Sequence, residues 1–455
     1  MSERNNKQFV KMLLTLMLPI VLQNIISSVV NTADVLMLSG VTQNALSATS
    51  LAGQISSLTM ICFHGFGVGV SILTAQYWGR GDIAVIKKTQ GIALRYSLIV
   101  AFVFFAAAEI APEWCMSLYT NIPELKVLGG VYLRVVALSW LLLAVTQVIL
   151  SSLKSMEQTK LCMYITVGCL LCNVLFNALA IYVLFPGNET LTVAGVAGAT
   201  VLSRVVELVL CLAVLKKGKG VPAAPKDILC REKWLIKDYW KCSLPMLLNL
   251  MSWGGGSTVM TGIMGRMSSD IVAANSLAVS LRSLVTVACS GMGAAGSILL
   301  GKSLGKGDFV EAKYIGKRMY LWSLLLGAAA SLLLLCLRVP CLAISSLEES
   351  AQEMFGTMLL MNTLFVVGMS FNSCMVTGVF CAGGDTRFGL INDTFTMWGV
   401  ILPLGYLGTF VFHWPPMLVY FVFCMDELVK VPAVSIRFFK YKWLKKLTRE
   451  ADERK

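Results

Sequence analysis

The sequence predicts an all-α integral membrane protein, with twelve transmembrane helices in two six-helix lobes related by a two-fold pseudo-axis along the membrane normal. Three observations predict it. The chain has 455 residues, 56% hydrophobic and 14% charged, with a mean hydropathy of +0.74, more apolar than a soluble domain of this size needs. Apolar runs of about 20 residues or more, the length of a bilayer span, alternate with short charged loops. The sequence is also duplicated: Pro19 and Pro245 each open a long apolar stretch, and at the same separation of 226 residues Ala48, Ser50, Leu51 and Ala52 return as Ala274, Ser276, Leu277 and Ala278. The stretch from Gly65 to Asp82 (GFGVGVSILTAQYWGRGD) returns from Gly291 to Asp308 (GMGAAGSILLGKSLGKGD), with eight of its eighteen residues identical and no gap.

In order, the apolar runs place spans at 12–38, 44–75, 91–111, 128–150, 161–185 and 191–215, then at 240–265, 270–300, 317–337, 354–379, 388–411 and 416–437. Residues 1–215 form the expected N-terminal lobe and residues 240–437 the C-terminal lobe. Between them, residues 216–239 concentrate charge, glycine and two prolines, which reads as a cytoplasmic linker with one short amphipathic helix. Residues 438–455 form a basic cytoplasmic tail. An even number of spans per copy gives both copies the same orientation, hence an axis along the membrane normal and not in its plane.

The net charge of +13 is a topology signal and not a nucleic-acid footprint. Lys and Arg crowd the N-terminal tail, the even-to-odd loops and the C-terminal tail, with Lys126, Arg134, Arg266 and Arg338 opposite. That asymmetry puts both termini in the cytoplasm of a multi-pass protein of the inner, plasma membrane. The run from Arg437 to Lys446 then reads as a helix end on anionic headgroups. The first apolar run belongs to the repeat and is too long for a cleavable signal peptide.

Several motif matches carry no chemistry. The fourteen cysteines scatter through apolar segments, and Cys169 and Cys172, although spaced CxxC, have no second pair nearby. Gly291, Gly293 and Gly296 spell GxGxxG inside a membrane helix with no strand before it, where glycine serves close helix packing. Arg80, Gly81 and Asp82 spell an adhesion tripeptide in a cytoplasmic loop. Asn188, Glu189 and Thr190 form a glycosylation sequon of consequence only in a eukaryote. His64 and His413 are the only histidines, which argues against a multi-histidine metal site.

An acidic residue deep in a span is a functional candidate by default, and the first span has Asp34. Asn24, Ser27, Asn31 and Asp34 are spaced 3, 4 and 3 apart, one stripe on a helix of 3.6 residues per turn. In the fifth span Thr166, Asn173 and Asn177 share a face, and the sixth adds Thr200 and Ser203. Such groups must face protein or water. The bland alternative is polar helix packing without traffic. The preferred reading is a pocket whose Asp34 takes a proton or holds Na⁺, with the carboxamides as hydrogen-bond partners or oxygen ligands. Pro19 interrupts the hydrogen-bond ladder of the same helix and is the candidate hinge. A second cluster, Asp426, Glu427 and Lys430 in the last span and near Arg282 of the eighth, reads first as a structural ion pair and second as another proton site. Arg204 and Glu207 pair by the same spacing. At the repeat offset, Asn24, Ser27, Asn31 and Asp34 map to Leu250, Trp253, Ser257 and Met260, so the polar pocket is expected in the N-terminal half only.

The residues resemble a known family. LPIVLQ from Leu18, NTADVLMLSG around Asp34, AQYWGRGD ending the second span, QTKLCMYITVGCLLCNVLFNALAIY through the fifth and AGGDTRFG from Ala382 are similar, in order and spacing, to the multidrug and toxic compound extrusion (MATE) transporters. The resemblance covers nearly the whole chain. It implies V-shaped lobes that export amphipathic, often cationic organic compounds in exchange for H⁺ or Na⁺. Asp34 matches the family's coupling aspartate, with Pro19 at the family's separation from it. Asn173 and Asn177 match two fifth-span site positions, the second of which is often aspartate. Asparagine there shifts the expectation from Na⁺ to H⁺. Neither 245–265 nor the interior of 354–379 carries the acidic residues of the NorM-like branch, so the chain resembles the DinF-like branch more.

An enzyme would need a reactive set within the spans, which two isolated histidines do not supply. A channel would need a filter or charged ring. The remaining rival is a flippase of the same superfamily for a lipid-linked saccharide, for whose pyrophosphate only Arg204 and Arg282 are cationic cavity candidates. The expected partners are small organic substrates and membrane lipids, with no nucleic acid, no cofactor and a monomeric state. Asn24, Ser27, Thr166 and Trp253 are the candidate substrate contacts, Trp253 for the broad apolar face that suits promiscuous binding.

Overall fold

The structure is a computed structural model that describes residues 3–39, 41–345 and 347–450, with the side chains of 3–6, 8, 31–36, 38 and 39 outside that description. In chain order the helices are α1 Glu3–Ser39, α2 Gln43–Arg80, α3 Ile83–Ile110, α4 Pro112–Ser117, α5 Pro123–Ser155, α6 Thr159–Leu179, α7 Glu189–Lys216, α8 Pro225–Ile228, α9 Lys233–Gly265, α10 Ser269–Lys306, α11 Phe309–Ile344, α12 Glu349–Asn372, α13 Thr386–Thr394, α14 Leu402–Phe410 and α15 Pro416–Phe439. Three π-helical stretches extend them: Ala180–Leu184 after α6, Ser373–Phe380 after α12, and Phe395–Ile401 joining α13 to α14. No strand occurs among the described residues.

The helix ends follow local chemistry. Proline opens α4, α5, α8 and α15, where its missing N–H would have had no intrahelical partner. The two copies use the same caps. Thr42 and Ser268 accept from the backbone N–H of Ala45 and Ile271 to start α2 and α10. Those helices end on Gly81 and Gly307, whose φ of 81° and 80° is left-handed, a conformation that glycine adopts without steric cost. Asp82 and Asp308 then cap α3 and α11. The tripeptide at Arg80 is thus a helix stop followed by a helix start. In α10, Gly293 lies against the π-helical stretch after α12, and a Cβ added there would sit 3.2 Å from the Ser373 carbonyl oxygen.

Nine helices among the described residues are long and apolar enough to cross a membrane. α9, the continuous run α13–α14 and α15 fall outside that set, and they carry Asn249, Asp393, and Asp426, Glu427 and Lys430 respectively.

The chain divides into two compact units, one made of Leu22–Ser243 and the other of Met1–Val21 with Leu244–Glu450. Each division falls beside a repeat proline, Pro19 in α1 and Pro245 in α9, so both long helices contribute to both units. In the first unit the end of the linker is docked: Arg95 donates to the Cys230 carbonyl at 2.9 Å, Lys88 pairs with Glu232, and Tyr239 donates to the Phe66 carbonyl at 3.2 Å. In the second unit Phe9, Leu13 and Leu16 of α1 pack into a core with Met292, Phe371, Met375 and Phe438. Trp443 closes this core, stacked on Phe438 with ring centroids 5.6 Å apart. Arg437 makes two bonds to the Asp385 carboxylate, at 2.7 and 2.8 Å. Protein, not headgroups, therefore receives the start of the basic run.

Candidate functional site

In the first unit, Gln23 Nε2 donates to Thr166 Oγ1 at 3.0 Å, tying α1 to α6. Along α6 the buried Asn177 Nδ2 faces Asn173 Oδ1 at 3.4 Å. The π-helical stretch begins three residues later, a local widening often found at functional positions. The hydroxyls are spent closer to home: Ser27 donates to the Gln23 carbonyl, Thr200 to Val196 and Ser203 to Thr200. Asn24 is half-buried and Trp253, in the other unit, is 48% exposed. α1 runs unbroken through Pro19 and the backbone of Asn31 and Asp34, whose side chains lie outside the described residues.

The same unit holds an ion pair. Arg204 Nη1 lies 2.9 Å from Glu207 Oε2, which also accepts from Thr146 Oγ1 at 2.9 Å. One positive and one negative charge cancel, as burial in apolar surroundings requires.

The second unit holds a larger cluster. Lys430 Nζ lies 2.7 Å from Asp426 Oδ2, 3.4 Å from Glu427 Oε1 and 3.9 Å from Asp393 Oδ1. Asn249 Nδ2 donates to Asp393 Oδ2 at 2.7 Å. Asn372 Nδ2 donates to the Glu427 carbonyl and to its Oε2, at 2.6 and 2.7 Å. Asp426 and Lys430 are each 2% exposed. Asn372 ends α12 and Asp393 lies one residue from the end of α13, each where a π-helical stretch takes over.

This corrects the expectation that only the N-terminal half has a polar pocket. Asn249 stands 226 residues beyond Gln23, Asn372 beyond Thr146, Asp426 beyond Thr200 and Lys430 beyond Arg204, while Asp393 stands 227 beyond Thr166. The bonded pairs correspond too: Gln23 with Thr166 becomes Asn249 with Asp393, and Thr146 with Glu207 becomes Asn372 with Glu427. Mapping the Asp34 stripe alone missed this, because the second copy places its polar groups nearer the proline. The signal was available in the offset of Arg204 from Lys430.

Arg282 is not part of the cluster. It donates to Asn362 Oδ1 at 3.0 Å and lies over the Phe365 ring, while Asn362 donates to the Tyr420 hydroxyl at 2.7 Å. Among the described residues no three His, Cys, Asp or Glu side chains gather as metal ligands.

Comparisons with known proteins agree with this duplicated frame. The MatE family model matches residues 19–179 and 245–407, two segments that begin at the two repeat prolines. The uncharacterized transporter YisQ of Bacillus subtilis is 24% identical over 439 residues, covering 95% of each chain. A probable multidrug resistance protein NorM of Neisseria meningitidis is 23% identical over 413 residues, covering 89% of this chain and 88% of that one. The fold is shared with a variant of the MATE transporter VcmN from Vibrio cholerae, with a TM-score of 0.87 at 13% identity over 97% of this chain and 100% of that one. Two matches to one family model, each beginning at a repeat proline, show that the chain belongs to the MatE family of multi-pass membrane transporters.

Proposed function

We propose that the chain is a secondary active antiporter that exports amphipathic, cationic organic compounds in exchange for H⁺ by alternating access. It would do so as a monomer in the plasma membrane, with twelve spans in two six-helix lobes and both termini cytoplasmic. The observation that carries this reading is the polar set of the first unit: Gln23 bonded to Thr166, and the buried Asn173 and Asn177, in helices long and apolar enough to cross a membrane. α1 also carries Asp34, the one acidic residue of the first span. Protonation of Asp34 would change the charge of this set. Pro19, which leaves the carbonyl one turn before it without its helical N–H partner, would let α1 respond.

Asn177 supports H⁺ over Na⁺, because a carboxamide supplies no second negative charge to hold a metal ion. The acid-free segments 245–265 and 354–379 favour the DinF-like branch. Substrate would meet apolar and aromatic surface, with the exposed Trp253 as one contact and Asn24, Ser27 and Thr166 on the polar side. The flippase alternative needs free cationic groups for a pyrophosphate. Its two candidates are engaged, Arg204 by Glu207 and Arg282 by Asn362, which supports drug export.

Efflux of a cationic dye from whole cells, under an imposed proton or sodium gradient, tests the proposal. Asp34→Asn is expected to abolish proton-driven efflux. Undiminished efflux would remove Asp34 from the mechanism. Movement of a lipid-linked saccharide without dye efflux would establish the flippase.

A further inference from the structure

The cluster of the second unit carries more negative charge than it balances. Three carboxylates surround one ammonium, an excess of two charges in helices α13 and α15, where unpaired charge is costly. A structural ion pair needs no excess, as Arg204 and Glu207 show. The hydrogen bonds are incomplete as well. Asp426 Oδ1 and Asn372 Oδ1 are buried and have no partner among the described residues, and their residues are 2% and 5% exposed. A buried acceptor left without a donor forfeits its hydration with nothing in return. Excess negative charge and unanswered acceptors have one common remedy, a cation. A proton is such a cation: it removes one of the two excess charges and turns one carboxylate oxygen into an O–H donor.

We infer that this cluster is a second proton site, independent of Asp34, in which Asp426 holds the proton and Asp393 passes it in and out. Asp393 is the most exposed of the three carboxylates, its side chain 21% exposed against 3% for Asp426 and 10% for Glu427. Its ammonium contact is the longest, so it is the carboxylate least satisfied by Lys430. The step is simple: Asp393 takes a proton from water, the proton passes to Asp426, and Lys430 remains protonated and turns towards the carboxylates still charged. Asn249 ties Asp393 to α9, the helix of Pro245, so a change of charge at Asp393 reaches that helix directly. The groups that face the site are Asp393 of α13 and Asp426, Glu427 and Lys430 of α15. Among the described residues, α9 and α12 add the carboxamides of Asn249 and Asn372. Further along α15, Tyr420 and Cys424 lie towards Arg282 of α10, which is engaged by Asn362.

The inference does not depend on the N-terminal reading, and the test separates the two. Protons taken up per chain are counted on the purified full-length protein by pH titration in a weakly buffered solution, with the carboxyl infrared band followed in parallel. Asp34→Asn is expected to lose one proton and keep a second. Adding Asp426→Asn should remove that second proton and its infrared band. Asp393→Asn, which leaves the buried contacts of Lys430 with Asp426 and Glu427 intact and so spares folding, should slow proton exchange at least tenfold, with Asp393→Glu restoring it. Two results overturn the inference: proton uptake and a carboxyl band of the Asp34→Asn protein that adding Asp426→Asn leaves unchanged, or an exchange rate unchanged by Asp393→Asn. Failure at Asp34 alone, with the second proton intact, would instead count against the function proposed for the first unit.

Discussion

At Arg204 the first half of the chain sets one guanidinium against one carboxylate, and Thr146 supplies Glu207 with a second donor. At the equivalent Lys430 the second half sets one ammonium against three carboxylates, with Asn372 and Asn249 donating to two of them. The frame is the same, down to which helices are bonded. Two substitutions make the difference, aspartate for threonine opposite the carboxamide of the proline helix and aspartate for Thr200 one turn before the base. The acidic partner has also moved from three residues after the base to three before it. A duplicated scaffold thus keeps its hydrogen-bond geometry while its net charge drifts, and charge is what a proton reads.

The sharpest way to break this comparison is to remove the two bases. Lys430→Met leaves three carboxylates with no counter-charge, two of them deeply buried, and is expected to cost about 3–5 kcal/mol, seen as a lower unfolding midpoint or loss of folded protein. Arg204→Met leaves one carboxylate that keeps its bond from Thr146, and should cost clearly less. Lys430→Arg, the base used in the first half, should recover most of the loss. Equal losses at the two bases would mean that the excess charge of the second half is already neutralised.

A smaller contrast lies at the proline helices. Asn249→Leu removes a donor from a carboxylate, a charge-assisted bond whose loss should cost about 2 kcal/mol. Gln23→Leu removes a neutral bond to a hydroxyl, for which about 0.6 kcal/mol is typical between membrane helices. The two unfolding midpoints, measured in one detergent, should therefore fall by different amounts. If Gln23→Leu proves the more damaging, the first unit relies on this bond more than its geometry indicates.

Much of this was legible from the residues. Apolar runs gave the helices, because span length and backbone satisfaction in lipid leave few alternatives, and the repeat marked Asp82 and Asp308 as equivalent positions, which the structure shows to be helix caps. The stripe rule found Asn173 and Asn177, since one helix sets their spacing. Asp393, an acidic residue inside the 388–411 span, was a candidate by the rule that singled out Asp34 and was passed over; its partners Asn249 and Lys430, from α9 and α15, are not signalled within α13. The same holds for Asn372. Arg282 was placed wrongly for the converse reason: its charge suggested a carboxylate, and a carboxamide and a ring met its needs instead. Local periodicity reads one helix at a time, whereas a polar cluster is a property of several.

The smallest contrast is one expected to vanish. Asp82 accepts from the Val85 N–H at 3.3 Å and Asp308 from the Glu311 N–H at 2.8 Å, each starting a helix after a left-handed glycine. These caps lie outside the apolar spans, where water screens charge and neither half's cluster reaches. Replacing a cap by alanine costs about 1 kcal/mol. Asp82→Ala and Asp308→Ala should therefore lower the unfolding midpoint alike, with Asp308 slightly the more costly for its shorter bond. A difference larger than the cap itself would show that one half is held by contacts the other lacks even where the two sequences agree, and the divergence of charge would then be one part of a wider divergence in frame.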